Sequence, residues 1–307
     1  AAEIRQGGRT FVVHAAREIA LAAGAIQSPQ LLELSGIGNA SLLQRHGIAV
    51  KTHLPGVGEN LRDHLQARLM FEVRGLETLN DILSSTWKKA RMALRYALLR
   101  NGLMSTVGAT AHAYARTDPG SPQPDIKLQL HHLSSPDERN PKQIVLDDFP
   151  GFSIGVVQQQ PASRGSVHLR SSDPFAAPEI RANFLSAEED LRAVLRGMRL
   201  ARRVADQPAL ATHVVREVRP GREVDSDEAL SDHVRHTIFG SYHQVGTCRM
   251  GTDAEAVVDP RLRVHGVARL RVADASILPS IPASNTNAAA ILAGERAAEW
   301  MLADSLD

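Results

Sequence analysis

The chain of 307 residues has a single cysteine, Cys248, and few aromatic side chains. One cysteine excludes an intrachain disulfide and is typical of a protein from a reducing compartment such as the cytoplasm. No apolar run approaches the length needed to span a bilayer. Basic and acidic residues nearly cancel, with a formal net charge of +1. Because nucleic-acid surfaces need clustered positive charge, the sequence predicts neither a nucleic-acid partner nor a membrane span.

Two features are missing at the beginning of the chain. The sequence opens with Ala1 rather than methionine and has no signal-peptide pattern. It also has no strand–Gly-x-Gly-x-x-Gly–helix unit, which is the pattern that holds the pyrophosphate of a dinucleotide. We therefore expect an internal start.

Hydrophobic spacing predicts two helices in the first hundred residues. Ser28 is a suitable N-cap for the first, Pro29 suits its first helical position, and Gly36 suits its end. The second covers 81–100, with Asn80 or Asp81 able to cap it. Its candidate core positions are Trp87, Met92, Leu94, Leu98 and Leu99.

A third helix is predicted over 187–206, with Ser186 and Glu189 as a capping box. Apolar side chains recur there at three- and four-residue steps and predict the buried face, while the other face is basic. Since the whole chain is nearly neutral, we interpret the basic face as a solvated surface. The apolar positions are Leu191, Val194, Leu195, Met198, Ala201 and Val204; the basic ones are Arg192, Arg196, Arg199, Arg202 and Arg203.

The segment 241–251 concentrates His243, Thr247, Cys248 and Arg249 around two glycines. A metal site is one interpretation, but Cys248 has no partner cysteine and its spacing from His243 matches no common zinc pattern. A thiol nucleophile is another, and it requires a histidine placed to take the thiol proton. Ordinary core packing of the His and Cys explains the segment equally well.

A second candidate segment begins with a strand that ends in Asp274-Ala275-Ser276. After a proline-containing connection, Ser284 or Asn285 can cap a final helix, 286–303, that is rich in alanine. Small side chains let such a helix lie close to a flat cofactor, and its free N–H groups suit an electron-rich acceptor. Tight packing of the helix on a sheet is the alternative explanation.

Together these segments resemble the glucose–methanol–choline (GMC) oxidoreductases. The resemblance extends over nearly the whole chain, and its five matching stretches follow the order of the family. The stretches are 24–38, 55–64, 161–174, 243–251 and 272–298.

The resemblance implies FAD as the cofactor and oxidation of an alcohol as the reaction. It implies His243 as the catalytic base and Asn285 as its partner. An imidazole accepts a proton near neutral pH, and a carboxamide can donate a hydrogen bond to a developing alkoxide. The positions that it implies beside the flavin are Asp274, Ala275, Thr286 and Asn287, and it implies no metal.

The fold implied is mixed α/β: an incomplete Rossmann-like FAD-binding unit with an inserted substrate domain of antiparallel sheet and helices. Members of the family begin with the strand–Gly-x-Gly-x-x-Gly–helix unit, so the resemblance also implies that the N-terminal dinucleotide-binding segment is missing from this chain. We predict residues 1–65 in the FAD-binding domain, 66–235 in the substrate-binding domain, and 236–307 back in the FAD-binding domain with the catalytic residues.

The expected partner is a small alcohol, and the electron acceptor stays open between oxygen, a quinone and others. Aromatic residues are only 4% of the chain, which disfavours a cage for choline and favours neutral primary alcohols. Alternatives are a non-catalytic binding domain that keeps the fold, a flavin lyase without net redox chemistry, and a metal- or thiol-dependent hydrolase.

Overall fold

The computed structural model describes residues 1–106, 108–136 and 145–304. Its strands are β1 Ala2–Gln6, β2 Arg9–Val13, β3 Ile19–Leu21, β4 Ile37–Gly38, β5 Thr52–His53, β6 Leu65–Val73, β7 Ala109–Ala115, β8 Ile126–His131, β9 Gly151–Gln158, β10 Ser166–His168, β11 Glu179–Arg181, β12 Val214–Arg219, β13 Phe239–Gly240 and β14 Leu270–Val272. Its α-helices are α1 Gly24–Leu34, α2 Ala40–Arg45, α3 Leu79–Ser84, α4 Thr86–Leu99, α5 Glu188–Ala205, α6 Pro208–Ala211, α7 Asp227–Thr237 and α8 Asn287–Ala303. Short 3₁₀ turns occupy Leu103–Ser105 and Ala275–Ile277.

The chain divides into two compact units. Unit 1 contains Ala1–Asp63, Ser163–Ser186 and Tyr242–Asp307; unit 2 contains His64–Ala162 and Ala187–Ser241. Residues 163–186, which the sequence analysis assigns to the substrate-binding domain, thus pack within unit 1. The FAD-binding and substrate-binding roles of the domains stay predictions.

Unit 1 is built from short sheets around an apolar core. β3 pairs with β14 and β4 with β5 in parallel, whereas β1–β2 and β10–β11 are antiparallel pairs. The core gathers side chains that are far apart in sequence, so α1, the segment after it and residues 248–300 are packed together. Its buried members include Leu32, Ile37, Leu54, Val57, Cys248, Val257, Val258, Leu262, Val264, Val272 and Ile277.

Helix α1 begins earlier than the sequence predicts. It starts at Gly24, so Ser28 is not its N-cap and Pro29 lies inside the helix. Pro29 has no N–H to give to the carbonyl of Ala25, four residues before it. That carbonyl instead accepts a 2.6 Å hydrogen bond from the hydroxyl of Thr247. The predicted end is confirmed, because Gly36 follows the helix with φ of 85°.

Unit 2 is organised around a long antiparallel sheet of order β12-β6-β9-β8-β7, in which β13 also pairs with β6. Side chains alternate between its two faces. One face is apolar and packs against α5, where Gly197 lies so close to the sheet that a Cβ would come within 2.4 Å of Val156. The mixed α/β class predicted from the sequence is confirmed, with parallel pairs in unit 1 and this antiparallel sheet in unit 2.

Helix α5 confirms the predicted buried face but not the predicted start. Leu191, Val194, Leu195, Met198 and Ala201 are buried. The capping box of Ser186 and Glu189 is wrong, since the N-cap is Ala187 and no side chain caps it. The basic face is solvated except at Arg202, which is buried against Glu217 with hydrogen bonds of 2.8 to 3.2 Å.

The predicted second helix is interrupted. It is divided at Ser85 into α3 and α4, and its first part is capped by Thr78 and Asp81 rather than by Asn80. The predicted core positions are wrong because no residue of α4 is buried. Periodicity gives a helix an apolar face but does not supply a neighbour to cover that face. In the described chain no helix combines the length and the apolar character needed to cross a bilayer.

We predict that Gly197→Ala destabilises the protein by about 1–3 kcal/mol. The added methyl group would meet the buried, β-branched side chain of Val156, and overpacking outweighs the gain in helix propensity. Gly294→Ala in α8 is the matched control. An added Cβ there meets nothing within 4 Å, so this variant should gain about 0.5–1 kcal/mol. Denaturant unfolding followed by circular dichroism measures both; a Gly197→Ala protein as stable as the wild type would contradict the close approach of α5 to the sheet.

Candidate active site

The loop that carries His243 is hydrogen-bonded to Arg62 and Asp63. The buried carboxylate of Asp63 accepts the backbone N–H of His243 at 2.8 Å and the side-chain amide of Gln244 at 2.9 Å. Arg62 and Val245 exchange two backbone hydrogen bonds of 3.0 Å. His243 itself is half-buried. Its backbone is therefore fixed while part of its imidazole stays accessible to solvent.

Close backbone packing explains the glycines around this loop. Gly246 has φ of 94°, and a Cβ there would lie 2.4 Å from the carbonyl oxygen of Asn60. The side-chain amide of Asn60 donates to the carbonyl of Gly246 at 3.3 Å. Glycine is required because a side chain would separate the two strands of the loop pair.

Backbone hydrogen bonds also join the His243 segment to the C-terminal segment. The N–H of Cys248 donates to the carbonyl of Ser276 at 2.9 Å, and that of Met250 donates to Ile277 at 2.8 Å. The carbonyl of Thr247 accepts from Gly58 at 2.9 Å. Three of the sequence stretches singled out above therefore meet in unit 1.

Cys248 is unsuited to act as a nucleophile. It is fully buried, and loss of hydration raises the pKa of its thiol well above the ordinary value. A thiol nucleophile reacts as the thiolate and needs exposure, so the thiol-dependent interpretation does not fit this position. Within 1–106, 108–136 and 145–304, no cluster of three or more His, Cys, Asp or Glu side chains could hold a metal ion.

Asp274 lies at the junction of α1 and the end of β14. Its carboxylate accepts the backbone N–H of Gly24 at 2.9 Å, the hydroxyl of Ser28 at 2.5 Å and the backbone N–H of Ser276 at 2.8 Å. Ala275, half-buried, opens the 3₁₀ turn that follows. The carboxylate thus positions α1 and this turn.

The beginning of α8 is open. The predicted caps Ser284 and Asn285 are wrong, since the N-cap is Thr286 and no side chain caps it. Thr286 is buried, whereas Asn285 and Asn287 are exposed. An uncapped first turn presents free N–H groups and a partial positive charge, which suit an electron-rich planar ligand.

The structure brings together most of the predicted segments without testing every predicted role. The neighbourhoods of His243 and of Asp274 and Ala275 are joined by the hydrogen bonds to Ser276 and Ile277. Convergence of the His243 and Asn285 side chains stays a prediction, as do the flavin contacts. Asp63 was missed as a positioning residue, although it lies in the matching stretch 55–64.

The sheet of unit 2 has a second, polar face opposite α5, which we call the polar sheet face. Its residues lie directly across from one another on neighbouring strands, or two positions along a strand, and therefore share one side. A side chain at Gly155 would strike the amide of Gln66 at 2.7 Å, so polar groups fill this surface closely. Its polar side chains are Gln66, Arg68, Glu72, His112, Tyr114, Lys127, Gln129, His131 and Ser153.

Burial controls the electrostatics of the polar sheet face. It lowers the pKa of Arg68 to about 10, and burial followed by the charge of Arg68 lowers the pKa of His131 to about 4. The Arg68 guanidinium lies 5.4 Å from the centre of the Phe239 ring. Near neutral pH, Arg68 is therefore charged and His131 is neutral. Among the described residues, Nε2 of His131 and the hydroxyl of Ser153 are buried without a hydrogen-bond partner.

A buried ion pair links α1 to β10 in unit 1. Nδ1 of His168 lies 2.7 Å from Glu33, and its Nε2 lies 3.0 Å from the more exposed Glu59. Glu33 also accepts the backbone N–H of Leu169 at 2.7 Å. The hydrogen bond to Glu33, and then that to Glu59, raises the pKa of His168 to about 9. His168 is thus charged at neutral pH.

Two family models match this chain, and both are described as GMC oxidoreductase. One matches residues 1–66 and the other residues 161–294. The chain belongs to the GMC oxidoreductase family. GMC oxidoreductases are FAD-binding flavoenzymes, so FAD is the cofactor of this family.

Individual GMC relatives cover almost the whole chain. The oxygen-dependent choline dehydrogenase of Photobacterium profundum is 38% identical over 99% of the chain and 53% of its own length. The alcohol dehydrogenase [acceptor] of Pseudomonas putida is 37% identical over 92% of the chain and 50% of its own. The solved formate oxidase of Aspergillus oryzae RIB40 matches with a TM-score of 0.88 at 27% identity, over 97% of the chain and 56% of its own. The chain spans about half the length of the relatives it matches.

We predict that the free energy of unfolding decreases as the pH rises from about 6.5 to about 9 because of His168. Its pKa is raised in the folded protein, so its stabilisation is complete below the unfolded value of about 6.5 and is lost as pH passes the folded value of about 9. Denaturant unfolding at several pH values in this range gives the change of unfolding free energy with pH, which should be smaller for His168→Gln than for the wild type. The control is His265→Gln, which replaces a ring that contacts the carbonyl of Gly251 and should show the wild-type pH dependence. The same pH dependence for wild type and His168→Gln would contradict the ion pair.

Proposed function

We propose that this chain carries the catalytic residues of a flavoenzyme that oxidises a primary alcohol to an aldehyde. The observation that carries the proposal is the fixed His243 loop. Asp63 holds its backbone, and the Cys248–Ser276 hydrogen bond joins the same segment to the stretch that leads into α8. Membership of the GMC family gives this arrangement its chemical context.

His243 is the proposed general base. Oxidation requires the hydroxyl proton to leave as the α-carbon loses a hydride, and an imidazole accepts a proton efficiently near neutral pH. The half-buried side chain of His243 can be reached by a small molecule. Its backbone hydrogen bond to Asp63 limits motion of the loop, which favours one orientation of the base toward the substrate.

Asn285 is the proposed partner of His243. Its carboxamide would donate a hydrogen bond to the oxygen that becomes negative as the proton leaves, where a preorganised donor helps most. Asn285 is exposed and lies two residues before α8. Convergence of this side chain with His243 over one substrate is part of the proposal.

Four residues are proposed to border the cofactor. The free N–H groups at Thr286 and Asn287 suit an electron-rich ring, and Ala275 offers little side-chain bulk beside it. Asp274 contributes by holding the first turn of α1 and the 3₁₀ turn in place. The chemistry that FAD supplies when bound is acceptance of the hydride from the α-carbon.

We further propose that the substrate is not choline but an alcohol without positive charge. Recognition of a quaternary ammonium needs open aromatic faces. On the polar sheet face, the guanidinium of Arg68 already lies over Phe239. Aromatic side chains are only 4% of the chain, so few such faces are available for a quaternary ammonium.

A non-catalytic binding domain and a flavin lyase are the competing functions. Spectroscopy of the complete gene product separates them from the proposed function. Flavin bands that bleach with a primary alcohol in the absence of oxygen support oxidation. A protein without flavin bands indicates a domain that only keeps the fold, and flavin that no alcohol bleaches indicates chemistry without net redox.

We predict that His243→Ala lowers the rate of anaerobic flavin reduction in the complete flavin-loaded gene product by about 10²–10⁴-fold, since the base is lost. Asn285→Ala should lower it by about 10²–10³-fold through loss of the hydrogen bond to the developing alkoxide. Stopped-flow absorbance measures both rates. His236→Ala on the exposed surface of α7 is the control and should react normally. A near-normal rate for His243→Ala would remove His243 from the mechanism.

We predict that kcat/KM of the complete gene product for 3,3-dimethyl-1-butanol, the uncharged carbon analogue of choline, exceeds that for choline by about 10–100-fold, because a quaternary ammonium loses its hydration on binding without aromatic faces to replace it. Steady-state assays with both alcohols give the ratio. A preference for choline would reject the substrate class alone, whereas reduction of flavin by neither alcohol would challenge the function itself.

A further inference from the structure

Helix α4 has an apolar stripe that the described residues of unit 2 leave exposed. Trp87, Leu94 and Leu98 are 76%, 60% and 71% exposed. Their spacing of seven and four residues places them on one side of the helix. Two further exposed apolar residues flank α4 in sequence, Leu83 before it and Met104 after it. An uncovered apolar surface of this extent marks an interaction site.

The charge of the same segment has one sign. Every charged side chain from 86 to 100 is basic, although the complete chain has a net charge of only +1. Arg91 and Lys88 contact the carboxylate of Glu77, at 3.0 and 3.6 Å. These two contacts leave a strong excess of positive charge on the helix. The basic residues are Lys88, Lys89, Arg91, Arg95 and Arg100.

We propose that α4 is an interfacial helix that binds the surface of a membrane containing anionic lipid. A helix with a tryptophan and leucines on one side and lysines and arginines around it has the composition of helices that lie in the plane of the interface. The indole of Trp87 suits the headgroup level, and long basic side chains reach outward to lipid phosphates. The helix contacts the surface without crossing the bilayer.

The positive charge of α4 favours an anionic lipid surface over a second copy of the chain as its partner. Two α4 helices packed through their apolar stripes would bring ten basic side chains close together, and this repulsion opposes a dimer. An anionic lipid surface instead attracts each basic residue and accepts the apolar stripe. The proposal does not depend on the proposed catalytic function, because it rests on α4 alone.

Vesicle flotation of the complete gene product tests the proposal. The protein should bind vesicles of phosphatidylcholine mixed with phosphatidylglycerol and fail to bind phosphatidylcholine alone, and raised salt should weaken binding. Tryptophan fluorescence should shift to the blue when the anionic vesicles are added, and Trp87→Phe should remove this shift.

Two variants of α4 separate the apolar and the electrostatic contributions. Leu94→Glu with Leu98→Glu should reduce binding at least about tenfold by placing charge in the apolar stripe, and Lys89→Gln with Arg95→Gln should reduce it about tenfold through loss of attraction to anionic lipid. Ile180→Glu, at an exposed apolar position of β11, is the control and should bind normally. The substituted side chains are exposed, and circular dichroism checks that the variants fold.

Several outcomes would overturn the membrane proposal. Equal binding to both kinds of vesicle, or no binding to either, would show that an anionic lipid surface is not the partner. Normal binding by the variant with Leu94→Glu and Leu98→Glu would show that α4 is not the element that binds the membrane. A dimer in size-exclusion chromatography that this variant abolishes would identify a second copy of the chain as the occupant of the stripe.

Discussion

The carboxylate of Asp274 joins two segments of unit 1 that are 250 residues apart in sequence. It accepts hydrogen bonds from Gly24 and Ser28 of α1 and from Ser276 in the turn after β14. A buried carboxylate is costly unless donors surround it, and here three donors and the positive end of a helix do so. The turn that this carboxylate fixes receives the backbone of Cys248 and Met250. The position of the His243 loop therefore depends on Asp274 as well as on Asp63.

The sheet of unit 2 has one apolar face and one polar face. The side against α5 is apolar and so tightly packed that Gly197 has no room for a side chain. The polar sheet face contains the half-buried side chains of Arg68 and His131 and the buried Ser153. Loss of hydration lowers the pKa of both Arg68 and His131, because removing a charged group from water carries a free-energy cost.

The sequence predicts the family correctly but not the limits of the helices. The stretch from His243 to Gly251 depends on glycines and on backbone contacts such as that of Gly246 with Asn60, so its residues are tightly restricted and easy to identify. The start of α1 was missed because the donor that compensates for Pro29, Thr247, is 222 residues from its acceptor Ala25. No local pattern contains that information.

The other wrong predictions have equally specific causes. Ser186 does not cap α5 because its backbone N–H takes part in a turn with Asn183, beside Leu185 with φ of 57°. Trp87 and its neighbours have the periodicity of a core helix, but burial requires an opposing surface that the periodicity of one segment cannot reveal.

The hydrogen bond from Thr247 to the carbonyl of Ala25 has a consequence for synthesis of the protein. Helix α1 leaves the ribosome long before Thr247 and Asp274 are translated, and until then both the carbonyl opposite Pro29 and the first turn lack their native partners. Unit 2 has all of its residues by Ser241. During translation, unit 2 can thus be complete before Thr247 and Asp274 have been made, so unit 1 stays incompletely folded and accessible to chaperones and proteases for longer than unit 2.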